Sequence, residues 1–389
     1  LGDTFNMTKA LYGIKVLDLT RLLPGGVCSL MLADMGADIV KVEDPRGGDY
    51  ARHMPPMSDG MGVFFRTSNR NKRSIVIDLK AEQGRDTFYK LVQDADVVLE
   101  GFRPSVTQRL GIDYHTLTHY NPRIIYCSLS GWGQSGPYKL LSGHDLNYVS
   151  LNGVLGSTRT PHPLGAQIAD VAGAYVGVMG ITAALFKRER TNAGDYIDVA
   201  LHESAMPFSM VQFVESSTTG VAGGAGSLTG GSAFYEVYFS SDDQPLSLGA
   251  IEPKFWKNFC ETVEKPAWIP RHVKPSEQAS LKTDIQALFS TKTADEWDDL
   301  LSGADCCFTR ITAPQDIVND PQIKSRQMAG LDDEGVPWMR SPVRLISDDT
   351  FVLGSVPQQG EHTHAILEES GFSVEEIDAL VASGAVGKA

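Results

Sequence analysis

The sequence predicts an α/β chain: a doubly wound parallel sheet followed by a smaller α+β domain. Three observations carry this. Short β-branched runs alternate with apolar segments at helical spacing over roughly the first 200 residues. A Gly/Ser/Thr-rich stretch at 216–231 then breaks the texture, with an alternating hairpin and several helices after it. The length of 389 residues exceeds one ordinary domain.

Residues 14–19 read as the first strand, 28–35 as a helix closing at Gly36, and 38–43 as the next strand, a β-α-β unit that implies parallel pairing. The Gly/Pro/Met-rich stretch 44–71 reads as irregular, and a loop of that length is expected to be functional or mobile. Strands follow at 74–79, 97–100 and 124–129, with a helix at 82–93 and a long Gly/Ala-rich helix from Asp170 to about Arg188. Beyond the glycine run, taken as a linker or flap, residues 234–248 alternate like a hairpin turning near 241–244. Thr293 and Glu296 form a capping box ahead of Trp297. Residues 341–359 have strand and turn character, and Ser373 caps a last helix at 377–382.

The formal charge of −14 argues against a nucleic-acid partner, although a local basic patch could hold a phosphorylated ligand. The apolar runs read as too short to cross a membrane, and residues 1–4 lack the cationic start of a signal peptide. The five scattered cysteines have no zinc spacing and read as reduced thiols of a cytoplasmic protein, with no metal. The end at 387–389 is no clear peroxisomal address.

The stretch Gly143-His144-Asp145-Leu146-Asn147-Tyr148 and Asp170 carry the main chemical expectation. An imidazole and a carboxylate facing one pocket can move a proton on and off carbon. Both are expected at helix starts, where free N–H groups favour an anion such as an enolate; the histidine is expected to be buried. The alternative for both positions is helix capping. Gly131 to Gly136 matches GxGxxG, but it precedes Pro137 rather than a helix and does not sit in the first β-α turn, so a dinucleotide site is not inferred. Lys72 and Arg73 close a cationic cluster starting at Asn69; with Lys41, Lys80, Arg103 and Arg109 they suggest a nucleotide-phosphate crest beside strand ends. Glu252 precedes Pro253 at a helix start, where an N-terminal acid is the simpler role.

Residues 13–19, 32–38, 71–80 and 130–137, with Gly360-Glu361-His362-Thr363, resemble the family III CoA-transferase superfamily. Residues 143–148, 230–235 and 249–255 are similar to its α-methylacyl-CoA racemase branch. The resemblance implies a Rossmann-like large domain (1–215, completed by 331–389), a linker at 216–224, a small domain (225–330) and an interlocked homodimer with a site at the interface. It implies His144, Asp170 and Glu252 as catalytic residues. It implies CoA contacts at Lys41, at Ile77, Asp78, Leu79 and Lys80, and at Gly101, Phe102, Arg103 and Arg109. Gly143, Asp145, Leu146, Asn147 and Tyr148 complete that set. The implied activity is epimerisation of a 2-methylacyl-CoA, with no cofactor beyond the CoA of the substrate. The alternative is CoA transfer between carboxylic acids through an anhydride at Asp170. The motif departs from the branch at Thr229 and at Ser232-Ala233.

Overall fold

The computed structural model describes residues 9–348 and 350–387; the expectations for residues 1–4 and for 388–389 fall outside the described residues. Two compact units are present.

The first unit holds the described chain up to Tyr148, Ala166–Ala205, and the chain from Val318 onward. Its strands are β1 (Lys15–Asp18), β2 (Asp38–Glu43), β3 (Lys72–Val76), β4 (Val97–Glu100), β5 (Ile125–Ser130) and β6 (Asp195–Ala200). They pair in the order β3-β2-β1-β4-β5-β6, all parallel. This is the doubly wound order, and the direction of winding reverses between β1 and β4. The principal helices are α1 (Leu22–Asp34), α2 (Glu82–Gln93), α3 (Asp145–Leu151) and α4 (Ile168–Thr191).

Side chains alternate across the sheet, and each face builds its own core. Leu17, Val40, Ile75, Val98 and Tyr126 meet Phe88 and Leu91 of α2. On the other face Val16, Ile39, Val97 and Leu99 meet Met31 and Leu32 of α1 and Val178 and Ile181 of α4. The C-terminal segment completes the first face: Ile366, Leu367, Ile377 and Val386 join that core, and the capping box of Ser373 with Glu376 starts the last helix, Val374–Ser383.

Three sequence expectations change here. The strand expected from residue 74 starts at Lys72, because Lys72 is not a loop cation but a buried one beside Asp18. The stretch 44–71 is ordered: a 3-10 turn (Tyr50–His53), a two-residue hairpin and the helix Val63–Asn69 close over a small core of Ala51, Met61 and Phe65. Residues 341–359 carry no strand among the described residues; a short pair, Ala329–Leu331 with Pro337–Met339, lies ahead of them.

The expectation about membrane-length runs also needs correction. Within its 24 residues α4 holds an 18-residue window of mean hydropathy 1.6, long and apolar enough to cross a bilayer by composition. Its buried residues pack on the sheet, and near its end Arg188 is paired with Asp96 at 2.7 Å. Those contacts mark it as a core helix of this unit.

The second unit comprises Val149–Gly165 and Met206–Ile317, where the sequence reading placed a small domain at 225–330. The expected hairpin is present as Tyr235–Phe239 and Pro245–Gly249, with Phe308–Arg310 added as a third antiparallel strand. Trp256, Phe259, Phe289 and Trp297 fill the core beside it, and the capping box of Thr293 with Glu296 starts the helix Ala294–Leu301. The run read as a linker or flap lies inside this unit. Ser216 to Thr219 end a helix, Thr229 Oγ1 donates to Gln212 Oε1 at 2.7 Å, and the Gly230 carbonyl accepts from Arg159 and Lys282. These bonds pin the glycines against their neighbours.

Candidate active site

The carboxyl ends of β1, β4 and β5 open onto a cavity of ≈ 510 Å³. That is the crest where a doubly wound sheet takes its ligands, on both sides of the winding reversal. Thr20 to Gly25 enter from β1, Gly101 to Pro104 from β4, and Ser130, Gly131 and Trp132 from β5. Gly143, His144, Tyr148, Gln167 and Asp170 complete the wall. His144 and Asp170, 26 positions apart in the chain, both line this cavity.

Local bonds fix both residues. His144 precedes α3, and its backbone N–H donates to Asn147 Oδ1 at 3.0 Å while its carbonyl accepts from Asn147 and Tyr148. Asp145, the first residue of α3, turns its carboxylate to the start of α4 and accepts from the N–H groups of Ala169 (2.6 Å) and Asp170 (3.1 Å). One acid thus ties the two helix starts together and satisfies donors of the second. The capping role belongs to Asp145; Asp170 is left to face the cavity.

Asp170 is pushed up to about 6. Partial burial raises it first and the Asp145 carboxylate adds to that, while His144 pulls it down. A carboxyl tuned toward neutrality beside an imidazole is the arrangement that exchanges protons. Contrary to expectation, the His144 side chain is exposed rather than buried, because it sits at the mouth of α3. Tyr148 stays protonated: burial first, then Asp170, pushes its phenol up to about 12, and it donates to the Gly143 carbonyl at 2.7 Å. Its ring needs two glycines. A Cβ at Gly131 would lie 2.2 Å from Tyr148 Oη, and one at Gly143 would lie 2.8 Å from its ring. Trp132 stacks edge-on against the same ring at 5.0 Å.

A second cavity, ≈ 470 Å³, lies at the ends of β2 and β3 and shares Arg21 and Phe102 with the first. Ile77, Asp78, Leu79, Lys80, Phe102 and Arg109, which the resemblance named as CoA contacts, line it. Gly101 and Arg103 line the first cavity instead; Leu146 and Asn147 line neither, although Asn147 holds His144.

The cationic crest is corrected at three positions. Lys41 is 1% exposed, pairs with Asp49 at 2.9 Å and donates to the Thr20 carbonyl. Lys72 is buried against Asp18, Ser29 and Asn69. Arg73 sits at the opposite, amino end of the sheet, where Asp38 and Glu369 bind it. None of the three lines either cavity; they hold the sheet together. Glu252 belongs to the second unit, where it precedes the helix Pro253–Thr262 with an exposed side chain that makes no capping bond.

Sequence reasoning missed Arg21, Trp132, Lys139 and Gln167. Arg21 had a readable signal, since it follows β1 at the winding reversal. Leu22 beside it holds φ +61, a left-handed conformation that a non-glycine residue adopts only where its surroundings enforce it.

The family model for CoA-transferase family III matches residues 11–363. The chain belongs to this family. Its relatives act on both sides of the division raised by the sequence. The chain is 34% identical to the human alpha-methylacyl-CoA racemase, covering 95% of each chain. It is 32% identical to the succinyl-CoA:mesaconate CoA-transferase of Haloarcula hispanica, covering 93% of this chain and 96% of the relative. Among solved structures, a CAIB/BAIF family protein from Brucella suis superposes with a TM-score of 0.81 at 29% identity, over 93% of this chain and 99% of that one. The family is enzymatic, and its members include racemases and CoA-transferases.

Proposed function

We propose that the protein epimerises a 2-methylacyl-CoA by removing the α-proton and returning it to the opposite face. One observation carries this: His144 and Asp170 line a single cavity, with the carboxyl pushed up to about 6. In one direction Asp170, ionised, takes the C2 proton; the thioester becomes an enolate, and protonated His144 delivers a proton to C2 from the other side. The reverse direction exchanges the two roles. The enolate oxygen needs an N–H donor, which we assign to the Asp145 amide at the start of α3, since those of Asn147 and Tyr148 bond the His144 carbonyl. The acyl-CoA would lie with its nucleotide in the ≈ 470 Å³ cavity and its acyl end at Asp170. It supplies its own CoA, and no other cofactor enters the scheme. Glu252 enters only through the family resemblance, as a residue that orients or charges the histidine.

The test is to incubate one enantiomer of a 2-methylacyl-CoA with the protein and resolve the products by chiral chromatography. Approach to an equal mixture supports epimerisation; an unchanged enantiomer counts against it. The second reading, CoA transfer, is supported by the transferase relatives and by the presence of a half-buried carboxylate able to attack a thioester. It predicts CoA arriving on an added free acid and a hydroxylamine-sensitive adduct on Asp170.

The phosphate assignments make a separate prediction. Arg109→Ala and Lys80→Ala should each weaken CoA binding roughly tenfold, the low end for a charge-assisted hydrogen bond, and Arg73→Ala should leave it unchanged. Calorimetric titration with CoA measures all three. We also propose a homodimer, for which the exposed stripe Tyr175, Met179 and Phe186 on α4 is the supporting surface. Sedimentation at the mass of a single chain would contradict it.

A further inference from the structure

We propose that Glu100 is a positioning residue: through the Phe102 amide, its ionised carboxylate holds the turn Gly101-Phe102-Arg103 in the conformation that receives an acyl-CoA. This rests on the acyl-CoA reading above. Glu100 ends β4, is 2% exposed, and points to the α2 face of the sheet, as Val98 two residues before it does. Its Oε2 accepts from the Phe102 N–H at 2.7 Å. Its Oε1 accepts from the Ser128 hydroxyl, on the paired residue of β5, and Ser128 Oγ accepts in turn from the Tyr196 hydroxyl at 3.2 Å.

The turn that Glu100 holds touches every part of the site. Phe102 lines both cavities, and Arg103 lines the one that holds Asp170 and donates to Ser142 Oγ at 3.0 Å, just ahead of Gly143 and His144. Ser105, at the end of the turn, holds φ +73, so the loop is kept in a conformation its sequence does not favour. A single buried acceptor beneath such a turn sets where its amide points.

The charge state of that acceptor matters because, among the described residues, no cation faces it. The groups that do are Ser128 and Tyr126 from β5 and Tyr196 and Asp198 from β6; Asp113, beyond the turn, faces Tyr126. The buried ions Asp18, Lys41 and Lys72 lie on the other face of the sheet, with Val16 and Ile39. Burial and then Asp198 push Glu100 up to about 7, against the pull of Ser128 and the Phe102 amide. The grip on Phe102 therefore strengthens as pH rises through neutrality and weakens as it falls.

The experiment is titration of the full chain with CoA from pH 5.5 to 8.5, by calorimetry, for the wild type, Glu100→Gln and Ser128→Ala. The phosphates of CoA titrate alike for all three proteins, so the difference between profiles is the readout. The wild type is expected to tighten roughly fivefold more than Glu100→Gln as pH rises through about 7, the worth of one hydrogen bond. Ser128→Ala, which keeps the carboxylate but removes a bond favouring its ionised form, is expected to move the midpoint upward. Parallel profiles for wild type and Glu100→Gln, or an unmoved midpoint in Ser128→Ala, would overturn the proposal while leaving the acyl-CoA reading intact. A wild type that binds no CoA at any pH would overturn both.

Discussion

Asp170→Asn is expected to slow α-proton exchange on a 2-methylacyl-CoA about 10³-fold, within the range that loss of a positioned acid or base produces. The amide has the shape of the carboxyl, and the start of α4 keeps its Asp145 cap, so CoA affinity should stay within about threefold by the same calorimetric titration. The pH dependence follows from the direction of the shift. Asp170 is raised to about 6, so it binds a proton as pH falls through that value. In the direction where it must accept the α-proton, kcat/KM should then decline below about pH 6 with a slope of one. Asp145→Asn removes one of the two causes that raise Asp170, and the midpoint should move downward. A midpoint that stays in place would assign the titration to another group.

The second large effect concerns stability. Asp18 lies at the end of β1, fully buried, with its oxygens taken by Thr20 and Ser29 and with Lys72 at 3.6 Å. Burial alone would raise its carboxyl, but Lys41 and Lys72 outweigh that and hold it below the usual range. Asp18→Asn leaves Lys72 buried without its counter-charge. Removing one partner of such a pair costs about 3–5 kcal/mol, a large part of the roughly 5–15 kcal/mol that holds a domain folded. Urea unfolding followed by circular dichroism should show the loss. Lys72→Met in the Asp18→Asn background removes the stranded charge and should restore part of it, a double-mutant coupling that a simple packing defect would not give. An Asp18→Asn midpoint equal to wild type would show that the pair carries no such weight. Residues 20–25, which wall the cavity, follow Asp18 directly, so weaker CoA binding should accompany the lost stability.

Much of the first unit was legible in the sequence because the order of its strands is written in short β-branched runs. Residues 38–43, 82–93 and 97–100 fall where expected, since apolar periodicity there coincides with burial. The errors in the cationic crest share one cause: an ion pair leaves no mark in the local sequence. Lys72, Arg73 and Lys41 read as cations that face a ligand, whereas Asp18, Asp38 and Asp49 lie beside them in space. Single-chain spacing carries no information about such pairs. Hydropathy misled in the other direction at 44–71, where three apolar residues and several ion pairs order a stretch whose composition suggested a loose loop. At the site, a helix-start argument led to His144 and Asp170, but their meeting in one cavity depends on Asp145 bridging α3 and α4, a contact that periodicity cannot reveal.

The most direct test of the proton-transfer chemistry is exchange in heavy water. A single enantiomer of a 2-methylacyl-CoA is incubated with the protein in D2O, and the C2 position is followed by proton NMR beside chiral analysis of the thioester. Two-base chemistry at His144 and Asp170 predicts that the C2 proton signal disappears as the opposite enantiomer forms, with deuterium in the product from the first turnover. Retention of the C2 proton while CoA passes to an added carboxylic acid would contradict it and leave Asp170 as a nucleophile.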